Sequence, residues 1–401
     1  MHDSARVPGR IQGIALLLPC TMAVMAVVSL TAVVPLMTEH FKDVPNADVL
    51  VPLVPVLPSL FFFLFAPIAG WIADRVGRRA LLIVGLSVYG CVGVVPTLVN
   101  DLHEILVSRA FVGICEAIIL TVSTTIICDY WKGQARERWI AGQTAVSQVS
   151  AIVIAVAGGV MGSIFGWFGP FYLYLSSWVL ALAIWAFTWE PVRGDAADEE
   201  QLESQDVLYH TMPWGRMLGI CAISVVAAVM FFSILVHNGT ALASFGITEA
   251  SQIGLVTSIA AIGSIVGALI YWRAAVLPTQ TLLFIEFLII GIGYSTMSRA
   301  DGAVGYTVAT FFCNIGLGMV LPTLMVWAVR GLAYQIRGRG NGMWQSAFLV
   351  GQFIAGGALP LVAREFNGML GAFGVIGYIS LVMSGAALLA RFVIPATAAR
   401  A

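Results

Sequence analysis

Charge is what this sequence lacks. Only 10% of its 401 residues are Asp, Glu, Lys or Arg, while 59% are hydrophobic and the mean hydropathy is +0.93. Soluble domains carry about 25% charge, and a soluble chain this poor in it would have too little polar surface to stay dispersed. The net charge of −1 offers no basic face to a nucleic acid, so no nucleic-acid partner is expected. There is no GxxxxGK[ST] loop, which excludes ATP as the driver through that motif. No HExxH or clustered Cys/His spacing is present, so no metal and no cofactor are expected, and no enzyme-like cluster of His, Asp and Glu stands near one membrane face. The six cysteines, Cys20, Cys91, Cys115, Cys128, Cys221 and Cys313, form no CxxC pair and sit in or beside apolar segments. They read as buried small hydrophobes. No small-residue cleavage site follows the first apolar stretch, which therefore reads as a retained helix and not a signal peptide.

What is present is a succession of long apolar runs. A bilayer core takes about 20 apolar residues per helix. Helices are expected near 13–38, 49–69, 80–99, 104–128, 139–165, 169–189, 215–240, 251–271, 279–297, 303–329, 340–362 and 370–393. Eleven Trp and ten Tyr suit a chain with two interfaces to anchor. With both termini cytoplasmic, the loops on that side hold sixteen Lys and Arg and the outer loops hold three, Lys42, Arg299 and Arg364. The positive-inside rule demands such asymmetry, and a wrong helix count would scramble it.

The longest polar stretch carries Asp195, Asp198, Glu199, Glu200, Glu203 and Asp206. It reads as a solvated linker over 191–214, between six-helix bundles at 1–190 and 215–401. The halves look like weak repeats. Arg136, Arg138 and Gly142 match Arg337, Arg339 and Gly342, and small-xxx-small spacing recurs at Gly158 with Gly162 and Gly263 with Gly267. The expected fold is an all-α membrane protein of twelve helices in two pseudo-symmetric halves.

Between the second and third spans stands Gly70-Trp71-Ile72-Ala73-Asp74-Arg75-Val76-Gly77-Arg78-Arg79. This resembles the GxxxDRxGRR signature of the major facilitator superfamily at every specified position. Gly70 permits close packing, and a carboxylate such as Asp74 suits a helix N-terminus. The resemblance implies a latch: Asp74 facing the start of span eleven, Arg78 paired with Asp129 at the end of span four, and Arg75, Gly77 and Arg79 completing the loop. The corresponding stretch of the second half, from Gly267 to Arg273, lacks the acid.

Ionisable residues inside spans are expensive, and hence candidates for function. Span four carries Arg109 and Glu116 in the stretch Arg109-Ala110-Phe111-Val112-Gly113-Ile114-Cys115-Glu116-Ala117, which resembles the family's RxxxGxxxA motif. It is also similar to organic-anion symporters and Spinster-type lipid transporters. Seven residues make about two turns, so both side chains share one face roughly 10 Å apart. Glu116 is the first candidate for proton coupling, because desolvation disfavours the charged form of a carboxyl. Arg109 is a candidate for an anionic substrate, or for a buried tie to a neighbouring helix. His237, which titrates near neutrality in water, is a second candidate on a proton path. Asn238, Asn314, Gln143, Gln148, Trp344, Gln345 and Gln352 complete the polar set expected around a cavity. Glu286, in span nine, is expected to face lipid as an acid or to bond an adjacent helix.

The resemblance implies a secondary transporter in the plasma (inner) membrane, sufficient as a monomer, with alternating access around a midplane site. The leading expectation is a proton-coupled carrier of a small organic solute, an organic anion or amphipathic metabolite. A drug–proton antiporter is the alternative. The antiporter signature GPxxGG is half present: Gly158 and Gly159 supply its end, but Ile154 and Ala155 replace Gly-Pro. A non-transporting membrane sensor is the remote third reading.

Overall fold

The computed structural model describes residues 8–190 and 208–393, and most of the expected linker, 191–207, lies outside them. The chain divides into two compact units, Met1–Ala196 and Ala197–Ala401. The first unit holds span one (Arg10–Thr31, with a 3-10 turn at Leu18–Cys20, continued by Val34–His40), span two (Ala47–Val76), span three (Arg78–Val94), span four (Leu102–Tyr130) and span five (Gly133–Phe165). Span six is the 3-10 stretch Gly166–Leu175 followed by the helix Ser176–Phe187. The second holds spans seven to twelve: Trp214–Ala243, Ala250–Ala274, Thr279–Met297, Ala303–Val329, Tyr334–Glu365 and Met369–Val393.

Among the described residues, eleven segments are long and apolar enough to cross a membrane when Gly133–Phe187 is taken as one run of 55 residues. At 1.5 Å per residue such a helix would reach about 80 Å, against a hydrocarbon core of about 30 Å. It is two crossings, divided at Gly166, whose φ of +76° ends the α-helix. The turn that follows folds tightly back: a Cβ on Gly169 would lie 2.1 Å from the Met161 carbonyl oxygen. The break falls where the expected spans 139–165 and 169–189 divide, but the start of the second span winds as a 3-10 stretch up to Leu175 where regular helix is expected.

The two units repeat one packing scheme. Span four packs on spans two and three, and span ten packs on spans eight and nine. Spans one and five pair as spans seven and eleven do; spans three and six pair as spans nine and twelve do. The contacts recur in kind. Gly158 of span five seats on the Ser29 carbonyl of span one, and Gly351 of span eleven seats on the Val225 carbonyl of span seven. Tyr89 of span three donates its hydroxyl to the Met22 carbonyl of span one at 2.7 Å; Tyr294 of span nine donates to the Met230 carbonyl of span seven. Gly263 and Gly267 both press against span ten, but their partners are the Phe311 and Ile315 carbonyls.

Span two carries Pro52, Pro55, Pro58 and Pro67 inside its helix. A proline in a helix interior costs about 3 kcal/mol and removes one hydrogen bond, so neighbouring spans must cover the freed backbone. Span four closes tightly on the same helix, since a Cβ on Gly113 would lie 2.2 Å from the Pro58 carbonyl oxygen. Of the cysteines, Cys20, Cys115 and Cys313 are buried, whereas Cys91 is exposed, contrary to the uniform burial expected; all six are free thiols.

Outside the spans, Asp101 accepts from the backbone N–H groups of His103 and Glu104 and caps span four. The His103 N–H bond holds its carboxyl below the usual range. The cap is therefore fully charged at neutral pH, and its contribution disappears as pH falls through that lowered value. In the second unit, residues 208–213 run beside 331–333, with Leu208 and Tyr209 donating to the Gly331 carbonyl. Beneath them Met217, Ile220, Ala328, Leu332 and Ala333 form an apolar base.

Gly113→Ala should lower stability by about 1–3 kcal/mol, the usual range for overpacking. Gly219→Ala, where an added Cβ meets nothing within 4 Å, should be neutral or stabilise by up to about 1 kcal/mol. Thermal unfolding in detergent compares the two, and equal melting temperatures would refute the close-packing assignment.

Candidate functional site

The signature loop is built around a helix start. Gly77 has φ +103°, a conformation that side chains resist, and span three begins at the next residue. Its first two N–H groups are capped by one carboxylate: Arg78 donates to Glu190 Oε1 at 2.6 Å and Arg79 to Glu190 Oε2 at 3.0 Å. The Arg78 side chain forms a salt bridge with Asp129, and Arg79 Nη2 donates to the Trp185 carbonyl at 2.5 Å. Tyr130 donates to the Trp189 carbonyl at 2.6 Å and accepts from the Trp189 N–H at 2.8 Å. Arg75 stacks over Trp71, 3.7 Å from the ring centre. The Asp74 side chain lies outside the described residues, as do those of Gln335 and Arg337 in span eleven. Glu190 was missed in the sequence. Its signal is an acid at the very end of span six, available to a pair of adjacent arginines.

Span four places Arg109 and Glu116 in one buried cluster, with different duties. Arg109 is fully buried. Its Nη2 donates to the carbonyls of Gly93 at 3.0 Å and Val92 at 3.3 Å, and Nε donates to Ser108 Oγ at 3.3 Å. Those carbonyls belong to the C-terminal turn of span three, where a cation is favoured; that of Val92 also accepts from the Val95 N–H. The guanidinium also lies 4.9 Å from the ring centres of both Phe171 and Tyr174. Arg109 thus ties span four to the end of span three, the second of the two roles expected of it.

Glu116 is buried, and its Oε1 has no hydrogen-bond partner among the described residues. Its carboxyl meets the Tyr89 hydroxyl, whose only proton goes to the Met22 carbonyl. Tyr89 can therefore offer Glu116 a lone pair, and a protonated carboxyl is the form that matches it. Tyr89 stacks on Tyr174 with ring centres 5.2 Å apart. Tyr174 Oη, Ser177 Oγ and Arg109 Nη1 are further buried polar atoms without a partner among the described residues. Spans three, four and six thus enclose a polar nest inside the first unit.

Met22 links this nest to a cavity. Spans one, five and six leave a space of about 600 Å³ lined by Met22, Met25, Val149, Val153, Ile154 and Leu173 among others. Its few hydroxyls are engaged: Thr21 bonds the Leu18 carbonyl, Ser150 the Ser147 carbonyl, and Ser176 the Met25 sulfur. The size lies within the range of small-molecule sites, and the wall suits apolar surface. Gln143 stands nearby, buried, bonded through Oε1 to Thr124 at 3.2 Å, with Nε2 unpartnered. Gln148 is half-buried on the same helix.

In the second unit the expected polar residues hold helices together. Asn238 donates to Thr257 at 3.1 Å and accepts from Tyr306 at 2.9 Å, joining spans seven, eight and ten. Asn314 accepts from Ser264 at 3.1 Å and donates to the Thr310 carbonyl at 2.9 Å. Both amides are engaged within the bundle. His237 is buried with Nε2 3.0 Å from the Ala355 carbonyl, so Nε2 carries the proton and Nδ1, which has no partner among the described residues, is the acceptor. Trp344 stacks on Phe348 at 5.7 Å with Nε1 unpartnered, Gln345 is exposed and Gln352 is buried. Glu286 is fully buried against Thr323 of span ten, the second of its two expected placements, bonding an adjacent helix.

Residues 16–356 match the sequence profile of the Major Facilitator Superfamily. The chain belongs to this superfamily. It is accordingly an integral, multi-pass membrane protein of a transporter family and not an enzyme. A triacylglyceride transporter of Mycolicibacterium smegmatis is 25% identical over 187 residues, 42% of this chain and 33% of that protein. The multidrug transporter protein MdtP of Bacillus subtilis is 25% identical over 116 residues, 29% of this chain and 21% of the other. The chain thus spans a third or less of the length of these curated relatives. A bacterial homologue of the human lysosomal transporter Spinster, in an inward-facing occupied conformation, superposes with a TM-score of 0.75 at 16% identity, over 95% of this chain and 96% of that one. That likeness is one of fold.

Arg109→Gln in this superfamily member should cost about 2–3 kcal/mol, because buried carbonyls lose a charged donor. Glu190→Ala should cost about 1 kcal/mol, the usual loss of a helix cap. Melting temperatures check both. A substrate-binding arginine would instead leave the melting temperature unchanged and raise KM.

Proposed function

We propose that this protein is a proton-coupled secondary carrier that moves a small amphipathic organic solute across the membrane by alternating access, in the plasma (inner) membrane and as a monomer. The observation that carries the reading is the apolar cavity of about 600 Å³ in the first unit, which shares Met22 with the Glu116 nest. The cavity wall suits an apolar moiety, and its neighbour is a buried carboxyl with an unpartnered oxygen. An uncharged Glu116 can stay buried, whereas an ionised one needs water or a cation. Loading and unloading of that proton therefore demands a change of surroundings, which is what alternating access supplies. Commitment of Arg109 to span three removes the main support for a preference for organic anions.

Gly70, Asp74, Arg75, Gly77, Arg78, Arg79 and Asp129 would act as the conformational latch, with both termini cytoplasmic. Glu190 joins them as the cap that holds the loop in shape. His237 is the second protonatable group of the proposal, through Nδ1. Gln143 is the polar contact best placed in the first unit, with Gln148 beside it; Trp344 and Gln345 are the contributions of span eleven.

A drug–proton antiporter is the second reading. It is favoured by the names of the relatives, one a multidrug transporter and another a carrier of triacylglyceride. Direction separates the two. In proteoliposomes loaded with a panel of fluorescent amphipathic cations and anions, an imposed pH gradient should drive uptake with the proton in symport and expulsion in antiport.

Glu116→Gln should abolish accumulation driven by the pH gradient while leaving substrate counterflow and melting temperature near those of the parent. Proton-driven accumulation that survives in this variant would remove Glu116 from the coupling path.

A further inference from the structure

Glu286 takes no part in the signature loop or in the span-four nest. It is fully buried in the middle of span nine. Its Oε1 meets Thr323 Oγ1 of span ten, and its Oε2 has no partner among the described residues. Thr323 Oγ1 is also 3.1 Å from the Met319 carbonyl of its own helix. A hydroxyl has one proton to give and here has two acceptors. If Glu286 is ionised, Thr323 must turn its proton to the carboxylate, and Oε2 remains a buried charge with nothing to solvate it. If Glu286 is protonated, it donates to Thr323, Thr323 donates to Met319, and the remaining Oε2 is an ordinary neutral carbonyl oxygen.

The place where this chain ends is not ordinary helix. Residue 322 is a proline inside span ten. It has no N–H to give to the carbonyl four residues earlier, that of Gly318, and its ring crowds that turn. Thr323 is therefore a brace at the weakest turn of span ten, and Glu286 is the group that orients the brace. On the other side, a Cβ on Gly316 would lie 3.0 Å from the Glu286 carbonyl oxygen, so the two backbones are already in contact.

The described residues bring no cation into contact with Glu286. Span twelve presents Ser380 and Ser384, whose hydroxyls are given to the carbonyls of Phe287 and Phe284. Span eight presents Tyr271, the titratable group within electrostatic reach of Glu286, with Arg330 beyond it. Glu286 makes no ion pair among the described residues.

We propose that Glu286 is a second proton-binding site, occupied in this structure's hydrogen-bond arrangement, and that release of its proton is coupled to movement of span ten at Pro322. The coupling is reciprocal: bending the helix there changes the surroundings of the carboxyl, and removing the proton withdraws Thr323 from Met319. The site stands in the other unit from Glu116 and does not depend on the role given to Glu116.

Infrared difference spectroscopy on the purified full-length protein over acid to alkaline pH tests the site. The parent should show the carbonyl band of a protonated carboxylic acid that Glu286→Gln removes and Glu116→Gln leaves in place. A spectrum unchanged by Glu286→Gln, or a band lost only in Glu116→Gln, overturns the site, and the second result would leave Glu116 coupling standing. If Glu286→Gln fails to fold, Thr323→Val serves instead: loss of its hydrogen bond should shift the band, and an unmoved band overturns the assignment. Hydrogen exchange read by mass spectrometry tests the coupling. Protection of residues 318–330 should fall more steeply with pH in the parent than in Glu286→Gln. Equal slopes would overturn the link to span ten.

Discussion

Hydrocarbon accepts no hydrogen bonds, and the organisation of this protein follows from that. Every backbone carbonyl freed at membrane depth must be met by protein. Span three ends inside the first bundle at Val92 and Gly93, and Arg109 is buried to meet those carbonyls. The carbonyls of Met22 and Met230 receive tyrosine hydroxyls from spans three and nine. Elsewhere glycine lets a neighbouring span close directly over helix backbone, as Gly113 does at Pro58 and Gly351 does at Val225.

That constraint also separates residues that hold the bundle from residues left to do chemistry. Asn238 and Asn314 are buried and engaged by carbonyls and hydroxyls, and Arg109 is engaged by carbonyls and rings although its Nη1 has no partner among the described residues. Glu116, Glu286 and His237 are buried with one polar atom to spare. For the two carboxyls the proton settles the account, because a neutral acid can donate to a hydroxyl oxygen where an anion would need a donor that is absent. The same logic applied to exposed Asp101 and Glu190 gives the opposite outcome: each finds helix N–H groups, and the charged form is the useful one.

The pairing of Arg78 with Asp129, together with the cap from Glu190, shows how the signature loop keeps its shape. Gly77 supplies the turn, Glu190 the helix start and Tyr130 the tie to Trp189. None of these three is among the charges for which the loop is recognised, but each fixes where those charges stand. In the second unit the end of span ten is held by span seven: Arg216 donates to the carbonyls of Trp327 at 2.7 Å and Arg330 at 3.0 Å.

The sequence by itself determined the class, the helices and the family. Apolar length against bilayer thickness, and the bias of Lys and Arg between loops, require no knowledge of contacts, and spans nine and ten match their expected bounds of 279–297 and 303–329. The signature was legible because its residue types are specified by local turn and charge. Rotation about each helix axis is set by which backbone finds which, and a chain that is apolar on every face does not encode it in periodicity. Only the tertiary structure therefore decided that Arg109 caps span three, that Glu190 caps the signature loop, that Glu286 faces span ten and not lipid, and that residues 166–175 wind as a 3-10 stretch between two crossings.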